Sequence, residues 1–272
     1  MSQGDRSVVE IARELDGIIK KKARESLVGI ILFGVLAGVY IGFGAVAATT
    51  VSAFEGLPTG LSKFLAGSVF CVGLMLVVIP GSELFTGNVL MVAGLVGRKV
   101  TLGQLLRNWL AAYFGNFLGA VLLALMVFGS GLLGTADAPS AVGTAAAKIA
   151  VAKIDLDFGP ALLRGVLCNM LVCLAVILAI SSRTTAGKIL GIYFPIMVFV
   201  LCGFEHSIAN MYFLPAGLLA QGRFVGEFGT MFYNLIPVTL GNILGGALVV
   251  MLHPARLRQL ARALGGKEAP DT

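Results

Sequence analysis

The chain has 272 residues, of which 57% are hydrophobic and only 12% charged, with a mean hydropathy of +0.94. Soluble domains carry roughly 25% charged residues, so the composition excludes an ordinary soluble domain and places the chain in a bilayer. A net charge of +6 would suit nucleic acid, but the basic residues flank apolar runs, where topology and lipid headgroups put them, so no nucleic-acid partner is expected.

In chain order, Val8–Arg24 comes first, with Val8, Ile11, Ala12, Leu15, Ile18 and Ile19 at helical spacing and Lys20, Lys21, Lys22 and Arg24 at its end. This reads as an amphipathic helix, and it fits either the membrane surface or a cap packed on the protein. A first span runs from Leu27 to Phe54, closed by a turn over Glu55–Gly60. The next apolar run starts near Phe64, stops at Pro80-Gly81 and resumes from Val89 to Val96. Neither piece reaches the roughly 20 residues of a full crossing, so the two together predict one broken span.

Gly97-Arg98-Lys99 connects to a third span at Trp109–Leu133. A mixed segment, Gly134–Phe158, follows, and its Ala141–Ala152 stretch predicts a short helix dipping into the bilayer face. The fourth span is Ala161–Ile180; the fifth is broken into Ile189–Cys202 and Ser207–Ala220; the sixth is Thr230–Leu252, after a turn at Gln221–Gly229. His253-Pro254 ends it, before the basic residues Arg256, Arg258, Arg262 and Lys267. The expected organisation is therefore a cytoplasmic amphipathic helix in residues 1–26, a six-span channel domain in 27–254 and a cytoplasmic basic tail in 255–272. The first apolar run is too long for a signal peptide and lacks a cleavage site, so none is expected.

Six spans put both termini on one side, which then holds most of the Lys and Arg; only Lys63, Lys148, Lys153, Arg164 and Arg223 fall on the other. The positive-inside rule makes both termini cytoplasmic, in a multi-pass protein of the plasma (inner) membrane. The halves also repeat. YFGNFLGA at Tyr113–Ala120 matches VTLGNILGGA at Val238–Ala247, and LAGVYIG at Leu36–Gly42 aligns loosely with LRGVLCN at Leu163–Asn169. Three spans per half force opposite orientations, so the fold class is an all-α membrane protein with an inverted repeat whose broken second and fifth spans meet at mid-membrane.

The breaks carry the polar residues: GSELFTGN at Gly81–Asn88 and GFEHSIAN at Gly203–Asn210, each an acid followed five residues later by Asn. A broken membrane helix frees backbone groups that lipid cannot satisfy, so the breaks must be buried or face water. Half-helices starting there direct positive dipole ends inward, which favours an anion. Glu83 and Glu205 oppose that sign and read as structural caps of the freed N–H groups. His206 is the one histidine inside a span and reads as functional. Thr86, Asn169 and Asn242 are its possible hydrogen-bond partners or anion contacts, or packing glue between helices. Phe70, Leu74, Leu84, Phe85 and Phe199 surround the breaks and read either as apolar constrictions or as plain lipid-side or core packing. Lys153, with Lys148 an equal competitor on position, would concentrate anions at the outer mouth.

No phosphate loop, nucleophile elbow, zinc-protease motif or paired catalytic carboxylate occurs, so neither enzyme activity nor a cofactor is expected. Cys71, Cys168, Cys173 and Cys202 form no CxxC pair, lie within apolar runs and read as small buried hydrophobes rather than metal ligands or disulfides.

At GSELFTGN, LRGVLCN, GFEHSIANM and LGNILGG the chain closely resembles the formate/nitrite transporter family, over about Lys20 to Pro254. The resemblance implies an aquaporin-like protomer with its own pore, assembled as a homopentamer. It matches His206 to the family's central histidine and Thr86 to its partner, and it prefers Lys153 over Lys148 as the vestibule lysine. By the same resemblance Asn169 and Asn242 are asparagines near the pore, and Phe70, Leu74, Leu84, Phe85 and Phe199 fall at two hydrophobic slits. The function it implies is passage of small monovalent anions of weak acids, formate or nitrite first and hydrosulfide next, with protons supplied by vestibule water or by His206. A bulkier lactate ranks last. A neutral-solute pore would carry two Asn-Pro-Ala breaks, and neither break has Pro after Asn; a membrane subunit without flux is the other alternative.

Overall fold

The structure, a computed structural model, describes residues 4–252, so His253 and the basic tail lie outside it. Among the described residues there are helices and no strand. The order is α1 (Val8–Arg24), α2 (Leu27–Ser52), α3 (Thr59–Val78), α4 (Phe85–Asn88), α5 (Val92–Val96), α6 (Leu102–Gly129), α7 (Ala141–Ile154), α8 (Phe158–Ser181), α9 (Thr185–Leu201), α10 (Ser207–Ala220), α11 (Phe224–Glu227) and α12 (Met231–Met251). Single 3-10 turns join α4 to α5 and α11 to α12. Five helices are long and apolar enough to cross a membrane: α2, α3, α6, α8 and the α11–α12 run. The pieces Phe85–Val96, α9 and α10 are apolar but shorter.

Polar caps set several ends where the apolar runs alone misplace them. Thr101 and Gln104 form a capping box, so α6 starts a full two turns before Trp109, the expected start of the third span. Pro58 precedes the first turn of α3, and Thr59 to Lys63 are helical. The first piece of the broken second span is therefore 20 residues long and is by itself long and apolar enough to cross a bilayer, contrary to the expectation from Phe64 onward.

Helix contacts rest on glycine. α2 packs along α6, and α8 along α12. A Cβ on Gly119 would lie 2.0 Å from the Val35 carbonyl oxygen, and one on Gly245 would lie 2.1 Å from that of Val166. The two backbones thus touch, the close approach that small residues permit in membrane helices.

α1 caps the protein rather than standing off it. Ile19 and Ala23 are buried in a cluster with Met91, Val100 and Leu105. Arg107 donates to the carbonyls of Ala23 and Glu25. Arg6 donates to those of Ile180 and Ser182, and ion pairs join Arg183 to Glu10 and Lys99 to Asp16. α7 is another short helix. It packs on α10, where a Cβ on Gly217 would meet Ala150 and the Ala146 carbonyl.

Candidate functional site

The two breaks are held by the same set of bonds. Asn116 of α6 accepts from Phe85 N at 2.9 Å and donates to the carbonyls of Gly34 and Glu83. Asn242 of α12 accepts from Ser207 N at 2.9 Å and donates to those of Gly165 and Glu205. The first N–H of each half-helix is therefore capped by an asparagine, not by the acids, which corrects the capping role expected of Glu83 and Glu205. The physical reason is geometric: each acid precedes its half-helix by two residues and turns away toward a lysine. The bonds also pair Gly34 with Gly165, so the alignment of Leu36–Gly42 with Leu163–Asn169 is displaced by one helical turn.

Each carboxylate sits in a buried polar knot. Glu83 takes bonds from Lys22 at 2.8 Å, Asn88 at 2.6 Å and Asn108 at 3.2 Å. Glu205 takes bonds from Lys153 at 2.9 Å on both oxygens, from Asn210 at 2.6 Å and from Asn234 at 3.4 Å. Lys153 also lies 5.3 Å from the Phe213 ring centroid, a cation–π distance. Breaking a buried ion pair leaves an uncompensated charge, and in both knots the lysine, the carboxylate and the neighbouring asparagines are paired and hydrogen-bonded. Lys148 is exposed, so the geometry separates the two lysines that position alone left equal.

Five of these partners escaped the sequence reading. Asn88 and Asn210 were visible as the Asn five residues after each acid. Asn108 and Asn234 each stand eight residues before the capping asparagine on the same helix, hence on one face, a signal present in both halves. Lys22 was hidden in the run Lys20 to Lys22, and only the packing of α1 selects it.

The pseudo-equivalent position just before each half-helix differs, and the chemistry sits there. It is Leu84 in the first break and His206 in the second. His206 Nδ1 accepts from Ala209 N at 3.1 Å. That bond requires a bare Nδ1, so the neutral imidazole carries its proton on Nε2. Nε2 lies 2.9 Å from Thr86 Oγ1 and donates to it. The Thr86 hydroxyl is then free to donate onward. Asn169 Nδ2 donates to the carbonyls of Thr86 and Asn242, tying α4 and α12 to α8. Among the described residues the buried Asn169 Oδ1 and Ser207 Oγ have no partner.

Two cavities approach this pair. One, of about 270 Å³, is lined by Lys22, Glu83, Asn88, Leu74, Leu84 and Val77 among others. The other, of about 210 Å³, is lined by Lys153, Glu205, His206, Phe70, Phe199 and Lys63 among others. Along α3, Phe70 lines one cavity and Leu74 the other, one turn or about 6 Å of helix apart. Phe199 stacks on the His206 ring at 5.9 Å and meets Phe70 edge-on at 5.5 Å. Phe85 lines neither cavity; it is buried against Trp109 and Tyr113 of α6. Cys71, Cys168 and Cys173 are buried, but Cys202 is exposed, because α9 ends at Leu201 and the chain turns outward into Gly203 before the break.

The described residues thus hold paired half-helices and a buried imidazole, with a largely apolar cavity carrying one Lys–Glu pair on either side. The formate/nitrite transporter family model matches residues 9–255, and the chain belongs to that family. It is thus a multi-pass membrane transport protein and not an enzyme. A probable formate transporter of Methanothermobacter thermautotrophicus is 44% identical over 92% of this chain and 96% of its own length. Formate channel FocA of Escherichia coli (strain K12) is 38% identical, covering 80% of this chain and 82% of its own. Among solved structures, an FNT family ion channel superposes with a TM-score of 0.79 at 28% identity, over 89% of this chain and 96% of that one. A pentameric formate channel with formate bound gives 0.71 at 33% identity, over 87% and 98%.

Proposed function

We propose that this chain passes small monovalent anions of weak acids, formate or nitrite, across the plasma membrane through a pathway of its own in each protomer. The observation that carries this reading is the Thr86–His206 pair at 2.9 Å, set between two largely apolar cavities that each hold one Lys–Glu pair. The matched knots at Glu83 and Glu205 support six spans in an inverted repeat with residues 27–254 as the channel body, and the placement of Lys and Arg supports both termini in the cytoplasm. The likeness to a pentameric formate channel supports a homopentamer in the lipid bilayer.

A bare anion is penalised at the apolar walls of Phe70, Phe199, Leu74 and Leu84, because they offer no hydrogen bonds. The weak acid crosses them more readily when neutral. Lys153 and Lys22, each neutralised by a carboxylate, attract the anion as local dipoles rather than as free charges. At the centre a donor chain runs from Ala209 N–H through the imidazole to the Thr86 hydroxyl, which presents its proton to an oxygen of the solute.

This tautomer limits what His206 can do with a proton. A second proton on the ring must sit on Nδ1, and it breaks the bond to Ala209. The proton that travels with the anion therefore comes from vestibule water, and His206 acts by polarising Thr86. Hydrosulfide, also small and monovalent, is the alternative cargo.

The test is uptake of formate, nitrite, hydrosulfide and lactate into proteoliposomes under an inward proton gradient, with glycerol swelling measured alongside. Gradient-driven uptake of formate or nitrite, without glycerol swelling, is the expected result. Glycerol permeation without anion uptake would replace this reading with a neutral-solute pore.

A further inference from the structure

Thr86 sits on α4, a helix of four residues, and so short a helix cannot hold its own position. Its placement is imposed from outside. Asn116 fixes its start through Phe85 N. Its end is fixed by Trp109, whose Nε1 donates to the Asn88 carbonyl at 3.0 Å. The Phe85 ring lies between, edge-on to Trp109 at 5.9 Å and to Tyr113 at 5.0 Å. Edge-to-face pairs at these distances have a preferred angle and resist ring rotation. Trp109, Tyr113 and Asn116 follow at spacings of four and three along α6, so all three present one face to α4.

Tyr113 is itself tied. Its hydroxyl meets Thr239 Oγ1 of α12 at 2.9 Å. Thr239 stands three residues before Asn242, as Tyr113 stands three before Asn116. The bond therefore joins equivalent points of the two helices that cap the two breaks. Thr86 belongs to one break and His206 to the other, so whatever spaces α6 from α12 also spaces this pair.

We infer that Trp109, Tyr113 and Thr239 form a clamp that sets the approach of Thr86 to His206, and thereby the rate and size selectivity of transport. Tyr113 and Thr239 are positioning residues; neither lines either of the two cavities that flank the pair. The inference rests on the transport reading above. Its sensitivity is expected, because displacements below 1 Å at a site that must orient its solute can alter rates up to about a hundredfold.

The experiment compares Tyr113→Phe, Thr239→Val, the double variant and Thr239→Ser in proteoliposomes. Formate uptake and the formate-to-lactate ratio are measured, with the melting temperature taken on the same preparations. Each single variant is expected to slow formate uptake roughly three- to tenfold, the ratio one net hydrogen bond supports, and the double to slow it no further. Thr239→Ser keeps the hydroxyl and should keep the uptake. The double variant leaves no polar group unpaired, so its melting temperature should return to that of the wild type while its uptake stays low. A lower formate-to-lactate ratio in Tyr113→Phe is also expected. Uptake that simply follows melting temperature, additive effects in the double, or unchanged uptake and selectivity in all variants would each overturn the clamp. A wild-type protein that carries no anion would overturn the transport reading instead.

Discussion

Replacing Asn242 with Leu removes three bonds at once while nearly keeping the volume. Its Oδ1 accepts from Ser207 N, and its Nδ2 donates to the carbonyls of Gly165 and Glu205. The residue is fully buried, so water does not step in readily. Each buried group left unpaired costs about 1–3 kcal/mol. The Gly165 carbonyl keeps a helical partner, which argues for the lower part of the sum, about 3 to 5 kcal/mol. For a chain of this length that corresponds to a fall of roughly 10 °C in melting temperature. Heating the detergent-solubilised protein and following the folded fraction by size-exclusion fluorescence measures it directly. The loss also frees the start of α10, so anion uptake should fall with it, because His206 immediately precedes that helix. Asn116→Leu, which breaks the equivalent set, should cost a similar amount. Wild-type melting and uptake in Asn242→Leu would refute the claim that these asparagines hold the breaks.

Three further outcomes follow from the same geometry. Lys153→Met strands the Glu205 carboxylate, whose side chain is only 6% exposed, and should destabilise by about 3–5 kcal/mol; Lys153→Met combined with Glu205→Gln should recover much of that in the same melting assay. Gly38→Ala puts a Cβ 2.1 Å from the Asn116 carbonyl oxygen and must push α2 off α6, an overpacking cost of about 1–3 kcal/mol, whereas Gly17→Ala, with open space around it, should be neutral or stabilising. At the start of α1, hydrogen bonds from Ser7 hold the Glu10 carboxyl below its usual pKa of 4.5. A carboxyl depressed in the folded state contributes above its unfolded pKa and loses that contribution as pH falls through the folded value. Proteolysis within Val8–Glu14 should therefore speed up below about pH 4.5, and an unchanged rate down to pH 3 would contradict the capping role.

Much of this was readable before any coordinates. An acid and an imidazole inside an apolar run are costly in lipid, so Glu83, Glu205 and His206 announced the breaks by themselves. Asn116 and Asn242 announced the repeat. What stayed hidden depends on distance along the chain. Lys22 meets Glu83 across 61 residues, and Lys153 meets Glu205 across 52; no local pattern pairs them, and the acids were therefore misread as caps. The slip of one turn between Leu36–Gly42 and Leu163–Asn169 has a similar origin. Small residues recur at nearly every turn of α2, so composition matches several registers, and only the carbonyls that Asn116 and Asn242 contact choose one. Helix starts were misplaced where a short polar cap, such as Thr101 with Gln104, extends a helix beyond its apolar stretch. Cys202 looked buried because its neighbours in sequence are apolar, yet it stands where the helix has already ended.

The most direct test of the central claim measures protons and formate taken up together by proteoliposomes holding His206→Asn, beside the wild type. With Nδ1 committed to Ala209 and Nε2 to Thr86, the imidazole polarises the pathway but does not carry the proton. The expected result is slower formate uptake in His206→Asn with an unchanged number of protons per formate. Formate entry that continues in that variant without accompanying protons would contradict it, and would make His206 the donor.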